Sequence, residues 1–143
     1  IKEMLPIATV ITPNLPEAEI ILGHKIKTEE QFLQAARELA QTKAKAVLLK
    51  AGHFQSKKLT DVLYLSETDE IIKIPGKRFK TKNTHGTGCT LSSAIAAQLA
   101  HGFDLKTAIQ KGVEYIHQSI RAGSDFQLGS GHGPVHHFYN FWN

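Results

Sequence analysis

The chain has 143 residues, 41% hydrophobic and 21% charged, with a formal net charge of +4. That length supports one domain with a sizeable core, and the composition excludes a disordered segment. A single cysteine excludes an internal disulfide and fits a reducing, cytoplasmic setting. No apolar run approaches the roughly 20 residues of a membrane span, and the scattered basic residues lack a nucleic-acid recognition motif. Neither a membrane nor a nucleic acid is expected as a partner.

In chain order, Ala8-Thr9-Val10-Ile11 reads as a short buried strand ending at Thr12-Pro13-Asn14. Leu15 to Leu22 reads as a helix, with Asn14 as cap, Pro16 in its first turn and Gly23 as its stop. Thr28 with Gln31 forms a capping box, and Phe32, Ala35, Ala36 and Leu39 follow as one apolar face. Ala46 to Leu49 is a second buried strand, closing at Lys50-Ala51-Gly52-His53. Thr60 to Leu65 and Glu70 to Pro75 read as a hairpin-like pair across a polar turn. The basic run Lys77-Arg78-Phe79-Lys80-Thr81-Lys82 leads into a Gly-punctuated stretch, Asn83-Thr84-His85-Gly86-Thr87-Gly88-Cys89-Thr90. Leu91, Ile95 and Leu99 then recur at helical spacing. Asp104 opens a last helix with Ala108, Ile109, Val113, Ile116 and Ile120 on its face, and the tail beyond Gly123 is rich in Gly, His and aromatic residues. Alternating strands and helices imply an α/β layered fold with a mainly parallel sheet flanked by helices. The Asn14 and Lys50 loops then lie at strand C-terminal ends, where open α/β sheets bind ligands.

The Gly-rich turn carries the chemistry. Free backbone N–H groups at a helix start, reinforced by the helix dipole, make an anion site. Cys89 sits in it, where a thiolate is favoured. A buried, inert thiol at a plain helix start is the structural alternative. An anion cradle beside a potential base points to chemistry on a phosphate.

The stretch from Asn83 to Ala97 closely resembles the loop signature of the ribokinase-like small-molecule kinases, and within them the hydroxymethylpyrimidine/phosphomethylpyrimidine kinases of thiamin biosynthesis. Most ribokinase-like enzymes place Asp where this chain has Cys89. The resemblance implies a ribokinase-like fold and ATP-dependent phosphorylation of 4-amino-5-hydroxymethyl-2-methylpyrimidine and its monophosphate. Cys89 is then the base, and Gly86, Thr87 and Gly88 hold the transferring phosphoryl group. Asn14-Leu15-Pro16-Glu17 matches the family's Asn-x-x-Glu motif, in which Glu17 helps to organise Mg²⁺ through water. Lys50 corresponds to a lysine on the ATP phosphates, although Ala51 replaces the first Gly of the usual Lys-Gly-Gly-His. Lys82, Asn83 and His85 are candidates to line the nucleotide phosphate or ribose, and Phe79 to flank adenine. Asp61 matches a recurrent family Asp and is read as structural, Glu19 as merely solvated, and His53 as a satisfied loop histidine.

Gly129-x-Gly131-x-Gly133 is no dinucleotide fingerprint, as Pro134 follows it, and no P-loop occurs. His132, His136 and His137 lack the spacing of a zinc site. The resemblance spans the whole chain but only the C-terminal half of such a kinase. Residues 1–143 are therefore expected to form one domain, the C-terminal portion, carrying the ATP/Mg²⁺ half-site and the base. That portion alone is expected to be inactive and to associate, as a homodimer. The readings kept beside it are a Cys-type pyridoxal kinase of vitamin B6 salvage, which shares the Thr-His-Gly-x-Gly-Cys-Thr loop, and a non-catalytic nucleotide-binding module with an unreactive Cys89.

Overall fold

Short apolar runs and helices of eight and twelve residues alternate along the first part of the chain, and each apolar stripe finds a face to cover. The structure, a computed structural model, describes residues 3–52 and 59–142. They fall into two compact units, Ile1–Gly76 and Lys77–Asn143.

The first unit is built on a sheet of order β1-β2-β3-β4, with β1 (Val10–Ile11), β2 (Ala46–Leu49), β3 (Leu59–Leu65) and β4 (Glu70–Gly76). A 3-10 turn at Leu5–Ile7 shortens the expected first strand to two residues. β1 pairs parallel with β2, in the register Val10 to Ala46 and Ile11 to Val47. β2–β3 and β3–β4 are antiparallel. The sheet is therefore mixed, not mainly parallel. The cause is local: residues 66–69 link β3 to β4 by a short turn, and only antiparallel neighbours can be joined that way. All four residues of β2 are buried, as a strand covered on both faces requires.

Between β1 and β2 run α1 (Leu15–Leu22) and α2 (Glu29–Ala40). Each begins with a full capping box, Asn14 with Glu17 and Thr28 with Gln31. α1 ends at Gly23 in the left-handed conformation, φ 79°, which glycine adopts without penalty. Phe32, Ala35, Ala36 and Leu39 of α2 are buried, as the spacing predicts, and share one core with Ile11, Ala18, Val47, Leu49 and Val62.

The second unit pairs α3 (Thr87–Ala100) with α4 (Leu105–Gly123). Leu91 and Ile95 of α3 are buried, as are Ala108, Ile109, Val113 and Ile116 of α4. Ile120 and Leu99 are half-buried. Asp104 caps α4 by accepting the Thr107 N–H at 3.0 Å. No helix among the described residues is long and apolar enough to cross a membrane.

Candidate active site

In the first unit, two loops leave neighbouring parallel strands at their C-terminal ends. Asn14 and Lys50 face each other there as an isolated parallel bridge, with the Lys50 N–H donating to Pro13 O at 2.9 Å. The cap fixes the motif. Asn14 Oδ1 accepts the Glu17 N–H at 2.9 Å, and Glu17 Oε2 accepts the Asn14 N–H at 2.8 Å. Glu17 is exposed, so its carboxylate reaches solvent while one oxygen holds the cap. Asp61 Oδ1 accepts the Ala51 N–H at 2.7 Å, which anchors the turn after Lys50 and fits the structural role read for Asp61. His53 lies outside the described residues.

Glu19, read as merely solvated, is engaged. Lys25 Nζ donates to its Oε2 at 2.6 Å, and the Ile26 N–H donates to its Oε1 at 3.0 Å. The Lys25 ammonium first, and the Ile26 N–H second, hold its carboxyl below the usual range. The contact was missed because it spans a helix stop: the chain turns at Gly23 before bringing Lys25 back.

In the second unit, α3 starts differently from the other helices. Its N-cap is Gly86 at φ 82°, ψ 2°, and no side chain caps it. Thr87 N–H reaches Thr84 O at 3.4 Å, and Thr90 is the first to donate to the N-cap carbonyl, Gly86 O at 2.9 Å. The Gly88 and Cys89 N–H groups lie between, at the positive end of the helix dipole. Cys89 is exposed in the same turn, so the base candidate and the anion donors occupy one turn of helix. The helix begins at Thr87, which places Cys89 inside it.

Next to this turn is a cavity of about 520 Å³, lined by Cys89, Thr90, Ser93, Gln98, Tyr115 and His137 among others. His137 Nε2 and Thr90 Oγ1 lie 2.9 Å apart, and Tyr115 OH donates to His137 O at 2.8 Å. Thr90, Tyr115 and His137 line this cavity, and sequence reading did not place them beside Cys89. Their partners lie too far apart in sequence to leave a local pattern.

Lys82 and His85 are exposed on the segment leading to Gly86. His85 N–H donates to Gly133 O at 3.0 Å. Asn83 is turned inward, 6% exposed, with its side-chain amide bonded to Gly123 O and Phe126 O. Phe79 carries Lys77 Nζ over its ring at 5.9 Å. The tail histidines do not converge: His132 Nδ1 lies 3.3 Å from Lys82 O, His136 packs on the Phe126 and Trp142 rings, and His137 meets Thr90.

A family model for phosphomethylpyrimidine kinase matches residues 1–136. The chain belongs to the phosphomethylpyrimidine kinase family. This phosphomethylpyrimidine kinase family member is 43% identical over 143 residues to the hydroxymethylpyrimidine/phosphomethylpyrimidine kinase of Rhizobium meliloti (strain 1021), covering 99% of this chain and 53% of that protein. It is 44% identical over 136 residues to the thiamine biosynthesis bifunctional protein ThiED of Geobacter sulfurreducens, covering 95% of this chain and 27% of that one. Among solved structures, the ADP complex of Bacillus subtilis pyridoxal kinase matches with a TM-score of 0.89 at 35% identity, over 99% of this chain and 52% of that one. The fold is thus the ribokinase-like one that the loop motif implied. The chain spans about half the length of the first of these curated relatives, and less of the second.

Proposed function

We propose that the protein carrying these residues is an ATP-dependent kinase of 4-amino-5-hydroxymethyl-2-methylpyrimidine and its monophosphate, working in thiamin biosynthesis in the cytoplasm. In this reading, the segment is the C-terminal portion of one ribokinase-like domain and supplies the ATP/Mg²⁺ half-site and the base. The observation that carries the reading is the first turn of α3, where uncapped N–H groups and an exposed thiol stand together in a member of this family.

The chemistry follows from the residues. The substrate hydroxyl oxygen, or the phosphate oxygen of the monophosphate, attacks the γ-phosphorus of ATP. Cys89, as the general base, takes the hydroxyl proton; the new O–P bond forms as the bond to the β–γ bridging oxygen breaks and ADP leaves. Negative charge develops on the transferring group, and the N–H groups of the Gly86-Thr87-Gly88 turn and Cys89 hold it. Lys50 supplies a point charge to the phosphates, and Lys82 and His85 flank them from the segment before the turn.

Mg²⁺ fits the donors present. Glu17 offers an exposed carboxylate, and such an ion keeps most of its waters and takes one or two carboxylates plus phosphate oxygens. Glu17 would hold it through water, with Asn14 fixing the Glu17 backbone. Bound there, the ion would neutralise phosphate charge.

A second reading, a Cys-type pyridoxal kinase, is favoured by the match to the Bacillus subtilis enzyme. A non-catalytic nucleotide-binding module is the third. Exposed apolar side chains, Phe141 and Trp142 among them, support self-association, read here as a homodimer.

The test is ADP release from Mg²⁺-ATP by the protein that carries this chain, with hydroxymethylpyrimidine, its monophosphate and pyridoxal side by side. Turnover of the pyrimidines that collapses in Cys89→Ala is the expected result. Turnover of pyridoxal alone moves the protein to the second reading, and nucleotide binding without turnover moves it to the third.

A further inference from the structure

Asn83 is buried although it lies between two exposed residues, Lys82 and Thr84. Its Nδ2 donates to two carbonyls, Gly123 O and Phe126 O, both at 2.6 Å. Its own N–H donates to Thr81 Oγ1 at 3.0 Å, and Thr81 Oγ1 donates to Ser124 O at 3.1 Å. Gly133 passes directly over the amide. A Cβ there would collide with Asn83 Oδ1 and lie 2.8 Å from Asn83 Cγ, but 3.6 Å from Asn83 Cβ. Gly133 also takes the His85 N–H on its carbonyl, one residue before the helix cap. The segment from Thr81 to Gly86 is thus strapped to the end of α4 and to the tail, and Asn83 is the central fastening.

We propose that Asn83 is a positioning residue for the first turn of α3: it acts on the phosphate through Gly86, Gly88 and Cys89, not by touching nucleotide. Two carbonyls converge on one group, and a carboxamide nitrogen offers a hydrogen to each. An aspartate would present acceptors to acceptors. Removing the amide leaves buried carbonyls without a partner, and the segment that sets the position of Gly86 loses its anchor. Gly133 then has a stated reason to be glycine, which is room for that amide.

The catalytic readout rests on the kinase reading; the structural readout does not. In the protein that carries this chain, Asn83→Asp keeps the shape and replaces the donor. It is expected to lower kcat on the order of tenfold, with KM for Mg²⁺-ATP within about threefold, because the turn serves the transition state more than the ground state. Gly133→Ala is expected to show the same split. Asn83→Ala/Gly133→Ala is expected to be no worse than Asn83→Ala, since the group the methyl would strike has gone. Wild-type kcat in Asn83→Asp at a temperature where it is folded overturns the proposal, as do penalties that multiply in the double variant.

If the unsubstituted protein turns over none of the three substrates, the kinase reading fails by itself. Positioning is then read from the rate of Cys89 alkylation by iodoacetamide. A rate altered alike in Asn83→Asp and Gly133→Ala supports it; a rate unchanged in both overturns it.

Discussion

Gly112 stands within α4, where glycine costs about 1 kcal/mol relative to alanine. On propensity alone, Gly112→Ala would stabilise. The packing reverses the sign. An alanine Cβ would lie 2.5 Å from Ile95 Cγ1 and 3.2 Å from the Ile95 backbone nitrogen. Ile95 is fully buried, and β-branching leaves it little freedom at χ1. The backbone contact cannot rotate away at all, so relief requires α3 and α4 to separate. Overpacking costs about 1–3 kcal/mol, and a backbone contact puts this site in the upper half of that range. Less about 1 kcal/mol for helix propensity, the net is about 1–2 kcal/mol of destabilisation. For a urea slope near 2 kcal/mol/M, the unfolding midpoint should fall by about 0.5–1 M with the slope unchanged. Ile95→Ala alone should cost about 2–5 kcal/mol. Combined with Gly112→Ala it should cost at least about 1 kcal/mol less than the sum, because the new methyl enters the vacated space. A midpoint that rises in Gly112→Ala, or strictly additive costs, would refute the close approach of the two helices.

Other outcomes follow from the caps and ion pairs. Thr28→Ala should cost about 0.5–2 kcal/mol, with Thr28→Ser near wild type, because Thr28 Oγ1 accepts the Gln31 N–H at the start of α2; urea midpoints check it. The Glu19 carboxyl is held below its ordinary value, so its contribution is present above the ordinary carboxylate range and lost as pH falls through the lowered value. The stability gap between wild type and Glu19→Gln should therefore narrow on acidification, and a gap independent of pH would contradict the Lys25 contact. His24 is shifted the other way: Glu38, 2.8 Å from its Nε2, and then the Lys25 carbonyl raise its pKa. That contribution is present in mild acid and lost as pH rises through the raised value, so Glu38→Gln should matter at pH about 6 and fade in alkali, and NMR titration of His24 should move down in this variant.

Local signals were legible and distant ones were not. The cap at Asn14, the capping box at Thr28, the stop at Gly23 and the apolar face of α2 each need only neighbours within four residues, and each stands where the sequence puts it. The polar turn between β3 and β4 made their antiparallel pairing legible, but the four apolar residues of β2 declared a buried strand without its partners, so the antiparallel pairing of β2 with β3 was not. At the candidate site, the glycines and Cys89 announced a helix start able to hold an anion. The inward turn of Asn83, and the link from Thr90 to His137, depend on residues some forty or more positions away. Nothing in the local pattern of the loop distinguishes Asn83, which is inside, from Lys82 and His85, which are outside.

The order of the sheet also has a kinetic consequence. β3 and β4 close through a short turn, and hairpins of that kind form in about 1–10 μs. β1 joins β2 only after the chain has passed through α1 and α2, so this pairing bears a larger loop-closure cost and comes late. Until then the apolar strand β2 has an unpaired side. During refolding, that side is where another chain would add, until the stretch from Ala8 to Asn14 bonds along it.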